Sequence, residues 1–438
     1  MANSDRIAVL LICLQLLPSG FLGHAAALMD SPLPSRPFRL GSVIAVRLGN
    51  TRSCVSGYGN GHAGAPVFRF CIPSWVAFSD DGAALVGEAA KDHAAANPQA
   101  AVFGFKRLLG KTFGHEDVQR ESFPYKIVYK ETSSTGTGIQ VAKKQLLHVE
   151  DVAAMVLAEL KCRAEAFLGH KVHYAVLTVP SYFRDASRLA AFDAVTSAGL
   201  EPVRIIDEPT AAALAHGLHE NEITKNVLVL HVGGGTAEAT VLVHEDGVFE
   251  AIGTWHDAHL GGDDFDRRTA NHFLQLIREK HSVDIGNDTA KLWKLRAECE
   301  RAKKELSDRD VARVSVNSIV DGVDLFEPLT RAKFEELNHD LFGRIMSVVD
   351  KAMVGSELAE KKELVDEIVL VGGSSRMPRI QELISDYFGG RQVRIGTAAV
   401  EPDEAVVHGG ALLSHPTAGG YECLGGERRQ FGASTDLC

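Results

Sequence analysis

Two kinds of hydrophobic pattern alternate along this chain. Short β-branched runs stopped by glycine, proline or polar residues occupy 43–48, 175–179, 203–206, 227–232 and 366–371, and read as strands. A further run over 71–78 is interrupted by Pro73. Between these runs apolar residues recur at helical spacing. Over 149–168 they fall at Val152, Met155, Val156, Leu160 and Phe167, the stripe of a long helix. Further helices are expected over 185–198, from Pro209, up to 280, over 290–306, from 330, over 378–388 and over 401–413. Pro209 suits a first helical turn, where its missing N–H costs nothing. Strands interleaved with helices in this way predict an α/β fold.

The pattern is most distinctive over 227–243. There VLVLHV enters three consecutive glycines, Gly233, Gly234 and Gly235, and leaves through ATVLV. That is a hairpin whose turn carries almost no side chains, so a ligand can approach its N–H groups. The turn can cradle phosphate oxygens, with Thr236 adding a hydroxyl. Taken alone, a glycine-rich hairpin is more often only a turn. The same layout occurs over 43–54, with Gly49 and Thr51 in the turn. Each copy is followed by strand-plus-helix units. This internal echo predicts two lobes of similar design facing a shared cleft. We place a signal peptide at 1–27, an irregular arm at 28–40, lobe I at 41–220, lobe II at 221–400, a closing helix at 401–413 and an irregular tail at 414–438.

Composition narrows the class. The 438 residues are 45% hydrophobic and 24% charged, as in a soluble globular protein of more than one domain. A formal charge of −11 argues against nucleic acid or an anionic membrane as partner. At the N-terminus, Arg6 precedes an apolar run over 7–17 and a small-residue site at Ala25, Ala26 and Ala27, the order of a signal peptide. That run is too short to span a membrane, so a lumenal or secreted protein is expected. The ending, STDLC, is not a retention tetrapeptide. Cys54, Cys71, Cys162, Cys299, Cys423 and Cys438 are scattered without metal-ligand spacing, and a disulfide among them stays open. Asn287 opens a glycosylation sequon.

Ten motifs follow one another in order: LGNTRSCV, FKRLLG, TVPSYF, IIDEPTAAALAHG, VGGGTAEATV, HLGGDDFD, LRAECERAKKELS, LTRAKFEELN, EIVLVGGSSRMP and EPDEAVVHGGAL. With them the chain resembles the nucleotide-binding domain of the seventy-kilodalton heat-shock chaperones over 41–413, and its leader makes it most similar to their lumenal branch. The resemblance implies an actin-like, two-lobed α/β fold with an internally duplicated core and ATP or ADP in the cleft. It implies phosphate contacts from Gly49, Thr51, Gly233, Gly234, Gly235 and Thr236. Lys106 matches a lysine near the γ-phosphate, and Glu208 the acid that positions water and magnesium. Gly372, Gly373, Ser374 and Arg376 match the adenosine site, Glu300, Lys303, Lys304 and Ser307 the contacts from the opposite helix, and Asp403 an acid near the nucleotide. Without the resemblance, those last helix residues read as a solvated face. J-domain proteins and nucleotide-exchange factors are the partners it implies. Sugar and acetate kinases share the fold, but the KFEELN helix and the motif order argue against them.

Departures from the family pattern matter more than the matches. Arg47 and His231 stand where the family keeps aspartates, Asn50 replaces the catalytic threonine of the first turn, and Glu238 replaces an aspartate. Magnesium wants oxygen ligands and waters held by carboxylates. A unit charge pair ~4 Å apart is worth about 4 kcal/mol at an effective dielectric of 20, so Asp to Arg turns attraction for the metal into repulsion. Arg47 can instead make charge-assisted bonds to phosphate. About 25 residues follow the last helix, too few for the family's peptide-binding half. We expect an ATP-binding module of the secretory pathway with hydrolysis weak or lost and magnesium binding impaired. The competing expectation is an active ATPase chaperone assisting folding in the endoplasmic reticulum.

Overall fold

The computed structural model describes residues 42–414, except 60–66, 80, 112–124, 130–136, 142–145, 221–224, 287, 321 and 398–399. The signal peptide, the arm, the boundary near 221, Asn287 and the tail beyond 414 lie outside the described residues.

In the first half, β1 (Val43–Arg47), β2 (Arg52–Tyr58) and β3 (Val67–Pro73) form an antiparallel meander. Next come β4 (Trp75–Phe78), β5 (Ala84–Val86), α1 (Glu88–Ala96) and β6 (Ala101–Phe103). They are followed by β7 (Lys126–Tyr129), β8 (Thr137–Gln140), β9 (Leu146–His148) and α2 (Val149–Leu168). The half closes with β10 (Tyr174–Val179), α3 (Asp185–Ser197), β11 (Glu201–Asp207) and α4 (Glu208–Ala215). Its main sheet has the order β11-β10-β1-β2-β3.

The second half repeats the plan. It runs β12 (Lys225–Val232), β13 (Ala237–Glu245), β14 (Val248–Asp257), α5 (Gly262–His281), α6 (Thr289–Glu305), β15 (Val311–Val320) and β16 (Val323–Thr330). It continues with α7 (Arg331–Leu337), α8 (His339–Gly355), β17 (Glu367–Val371), α9 (Pro378–Tyr387), β18 (Arg394–Ile395) and α10 (Ala405–Leu412). Its main sheet, β18-β17-β12-β13-β14, has the same topology as the first. The duplicated, two-lobed core expected from the hairpin echo is present.

Strand period explains why the apolar runs are continuous rather than alternating. Leu228 and Leu230 of β12 enter a core with α5, α6, α8 and α9, whereas Val227 and Val229 enter another. Each fully buried Leu or Val there contributes about 1.5–3 kcal/mol. The second of these cores joins the lobes. It holds Val43 and Ala45 of β1, Ala211 to Ala213 of α4, Val227 and Val229 of β12, and Val406 and Val407 of α10. The two helices cross so closely that a Cβ at Gly409 would lie 1.7 Å from the Ala211 carbonyl oxygen. The Ala/Gly composition of both helices is therefore a packing requirement.

The structure differs from the sequence reading in several places. The run over 71–78 is two strands broken at Ser74. The last helix starts at Ala405, four residues later than expected. β14 went unread because Gly253 interrupts its pattern. A Cβ there would lie 2.4 Å from the Ala352 carbonyl oxygen, so α8 packs directly on that strand. α8 itself carries Leu341, Phe342, Ile345, Val348, Val349, Ala352 and Met353 on one face, a helical pattern that the reading ended short of.

The open disulfide question resolves to Cys54 and Cys71, which are bonded as directly opposed residues of β2 and β3. Cys162 and Cys299 are free. Loop closure over 17 residues predicts about 3 kcal/mol of stabilisation. Thiol reductant should lower the melting temperature by several degrees and leave a Cys54→Ala, Cys71→Ala variant unaffected. Equal responses of the two proteins would show that the bond does not form.

Candidate nucleotide cleft

A cleft of about 1360 Å³ lies between the lobes. Its floor is formed where the central strands of both sheets end, the usual binding edge of α/β sheets. Arg47 is the last residue of β1, and His231 is the next to last of β12. Glu208 opens α4 directly after β11. Lys106 sits on a short 3-10 helix, Phe105–Leu108. These four side chains come from four separate elements, and all are buried.

They form one charge cluster centred on Glu208. Lys106 Nζ donates to Glu208 Oε1 at 2.7 Å, and Arg47 Nη2 donates to Oε2 at 3.3 Å. His231 Nδ1 lies 3.1 Å from the same Oε2, while its Nε2 lies 2.9 Å from Arg47 Nη2. A guanidinium can only donate, so His231 Nε2 accepts and Nδ1 carries the hydrogen given to Glu208. That assigns a neutral imidazole. Burial agrees, holding the His231 pKa below its ordinary value against the opposing Glu208 hydrogen bond. For Glu208, burial favours the neutral acid, but the Arg47 and Lys106 charges outweigh it and keep the carboxyl well below the usual range. Burial also lowers Lys106, opposed by Glu208. Glu238, fully enclosed beside Glu208, is pushed up to about 8, first by burial and then by the Glu208 charge.

The two hairpin turns meet at this end. A Cβ on Gly234 would lie 2.2 Å from Thr51 Cγ2, and one on Gly235 2.1 Å from Asn50 Nδ2. No side chain fits at either position, and the turn is closed by the Gly233 N–H donating to the Thr236 carbonyl at 2.9 Å. Asn50 makes one long hydrogen bond, 3.5 Å to Asp263, and its Oδ1 is buried without a partner. The Thr236 hydroxyl is bonded by Tyr182.

The other end is lined by α6 and the β17–α9 turn. Gly372 has φ +90, and a Cβ there would lie 2.4 Å from the Val232 carbonyl oxygen, so glycine is required on both counts. Gly373 starts a 3-10 turn. Ser374 Oγ donates to the Gly233 carbonyl at 2.9 Å, tying the two glycine turns together. Arg376 pairs with Asp403 at 2.8 Å and Glu401 at 2.6 Å. Lys303 is buried and bonded to Asp266 at 2.6 Å, so this part of α6 is not a solvated face. Lys304 pairs with Glu300, and Ser307 lies beside them.

Every site residue expected from sequence lines this cleft except Gly235, which is packed beneath it against Asn50. Sequence reading missed its mouth. Trp75 stacks on Phe103 at 4.1 Å, and Trp293 of α6 meets Trp75 edge-on at 4.9 Å, linking the lobes. Lys91 adds an ion pair to Glu300 at 3.4 Å. A tryptophan inside the charged WKLRAECERAKKEL helix was the available signal.

Comparison with known proteins agrees with this geometry. The Hsp70 protein family model matches residues 43–422. A heat shock 70 kDa protein BIP3 of Oryza sativa subsp. japonica is 49% identical over 385 residues, 86% of this chain and 57% of that relative. The chain belongs to the Hsp70 family, and it spans a little over half the length of this relative. The family binds ATP or ADP with magnesium. The residues present do not fit the metal. Among the described residues no group of three His, Cys, Asp or Glu side chains converges as a ligand set. Glu208, the carboxylate at the centre of the phosphate end, is already engaged by three donors.

The raised Glu238 acid gives a pH signature. Its folded pKa of about 8 lies above the ordinary 4.5, so the folded chain holds a proton that the unfolded chain releases. That contribution is complete below about 4.5 and is lost as pH rises through about 8. Between pH 6.5 and 8.5 the native chain should lose stability at a rate on the order of 1 kcal/mol per pH unit relative to Glu238→Gln. Parallel denaturant midpoints across that range would show instead that Glu238 is ionised in the fold.

Proposed function

We propose that this chain binds adenine nucleotide in the cleft and hydrolyses it slowly or not at all, acting in the secretory pathway as a nucleotide-binding or cochaperone-binding module. One observation carries the reading. Glu208, the acid matched to positioning water and magnesium, is held by Arg47, Lys106 and His231, two of which stand where the family keeps carboxylates. Phosphoryl transfer depends on metal clamping and on a positioned water. Here the carboxylate available to orient water is engaged by fixed donors, and Asn50 lacks the hydroxyl of the residue it replaces. The adenosine end keeps the glycine turn and α6, which supports retention of binding. Membership of the lumenal branch rests on similarity to the BIP3 relative and on the N-terminal leader pattern. J-domain proteins and nucleotide-exchange factors, with which the family works, are the proposed partners.

In this reading millimolar ADP raises the melting temperature of the purified chain, and Arg376→Ala reduces the rise. Loss of several kcal/mol of metal-centred stabilisation slows single-turnover hydrolysis by a factor on the order of 1,000. Magnesium-dependent turnover should appear when Arg47→Asp and His231→Asp are combined, and increase when Asn50→Thr is added. Family-like hydrolysis by the native chain would favour the active chaperone instead.

A further inference from the structure

The charge cluster in the cleft does more than weaken a metal site. Two fixed or ionised cations, Arg47 and Lys106, face one carboxylate, and the imidazole between them is neutral by its hydrogen-bond geometry. The local balance is positive. Arg47 has a side chain only 9% exposed, lines the cleft, and keeps its Nε buried without a partner. A buried guanidinium N–H left unpaired is costly and is relieved by an acceptor. Arg107 also lines this end, close to Gly235. Against these cations stand Glu208, already neutralised, Glu238, pushed up to about 8 by burial, and Asp263, pushed up to about 7 by burial.

We propose that the cleft selects metal-free nucleotide: the Arg47 guanidinium takes the place of the divalent cation at the phosphates, and magnesium competes with binding instead of supporting it. The inference rests on the nucleotide-binding reading above. Its chemistry is simple. Uncomplexed ADP or ATP carries its full phosphate charge and free oxygen lone pairs, which suit bidentate and charge-assisted donors. A magnesium complex hides part of that charge and brings a hydrated dication towards Arg47 and Lys106. One uncompensated unit charge about 6 Å away, at an effective dielectric of 20, changes affinity by roughly tenfold or more after screening. Adenosine, lacking phosphate, should be indifferent to the metal.

The test is calorimetric titration of the native chain with ADP, ATP and adenosine, each in excess EDTA and in excess magnesium at matched ionic strength. We expect ADP and ATP to bind roughly tenfold or more tightly in EDTA, with adenosine unchanged. In Arg47→Asp, and separately in Arg47→Gln as a milder change, that preference should reverse or disappear. Folding of both variants is checked by their melting transitions, and the native arms decide the matter if neither folds. Tighter binding in magnesium, or equal binding in both media, overturns the inference while leaving the nucleotide reading intact. An equal magnesium effect on adenosine also overturns it, because the effect would not act at the phosphates. No binding of any nucleotide in either medium overturns the nucleotide reading itself.

Discussion

An ionised carboxylate almost sealed from water must be neutralised where it stands, and Glu208 is such a group, 1% exposed at the meeting point of four chain segments. An unpaired buried charge costs several kcal/mol, and removing one partner of such a pair typically costs 3–5 kcal/mol. In a cleft built for a metal, the cation and its waters would meet that demand. Here Arg47, Lys106 and the neutral His231 meet it within the protein. Arg47 and His231 bind each other as well as Glu208, so the cluster is self-consistent.

Everything around this cluster serves to hold its contributors in place. β1 and β12 are buried on both faces, so their ends are fixed to within the tolerance of two packed cores. The α4–α10 crossing, close enough to demand Gly409 beneath Ala211, sets where Glu208 begins its helix. The cross-strand Cys54–Cys71 bond lies in the same register, with Cys54 directly opposite Arg47. At the mouth, Trp75, Phe103 and Trp293 couple the lobes through apolar contact, a device independent of the charges on the floor.

Much of this was legible because strand and helix periods differ and because glycine has few reasons to cluster. The runs at Val43 and Val227, the helix at Val149 and the Gly233 turn declared themselves through local pattern. β14 did not, because Gly253 answers to a helix a hundred residues further along the chain. The pairing of Cys54 with Cys71 needed the β2–β3 register, which no spacing rule supplies. At the site, the replacement of acids by Arg47 and His231 was plain from the motif. That these two residues bond each other and share Glu208 was not, because the contact joins positions 184 residues apart. Likewise Lys303 looked like one charge among many on α6, and only the fold buries it against Asp266.

The central claim is that a guanidinium occupies the role of a metal ion in this cleft. It is tested most directly by crystals grown with ADP and manganese, the latter located by its anomalous scattering. The account predicts the diphosphate within hydrogen-bonding distance of Arg47, with no manganese peak between the phosphates and Glu208. A manganese ion there, with Arg47 swung away from Glu208 to admit it, would contradict the account.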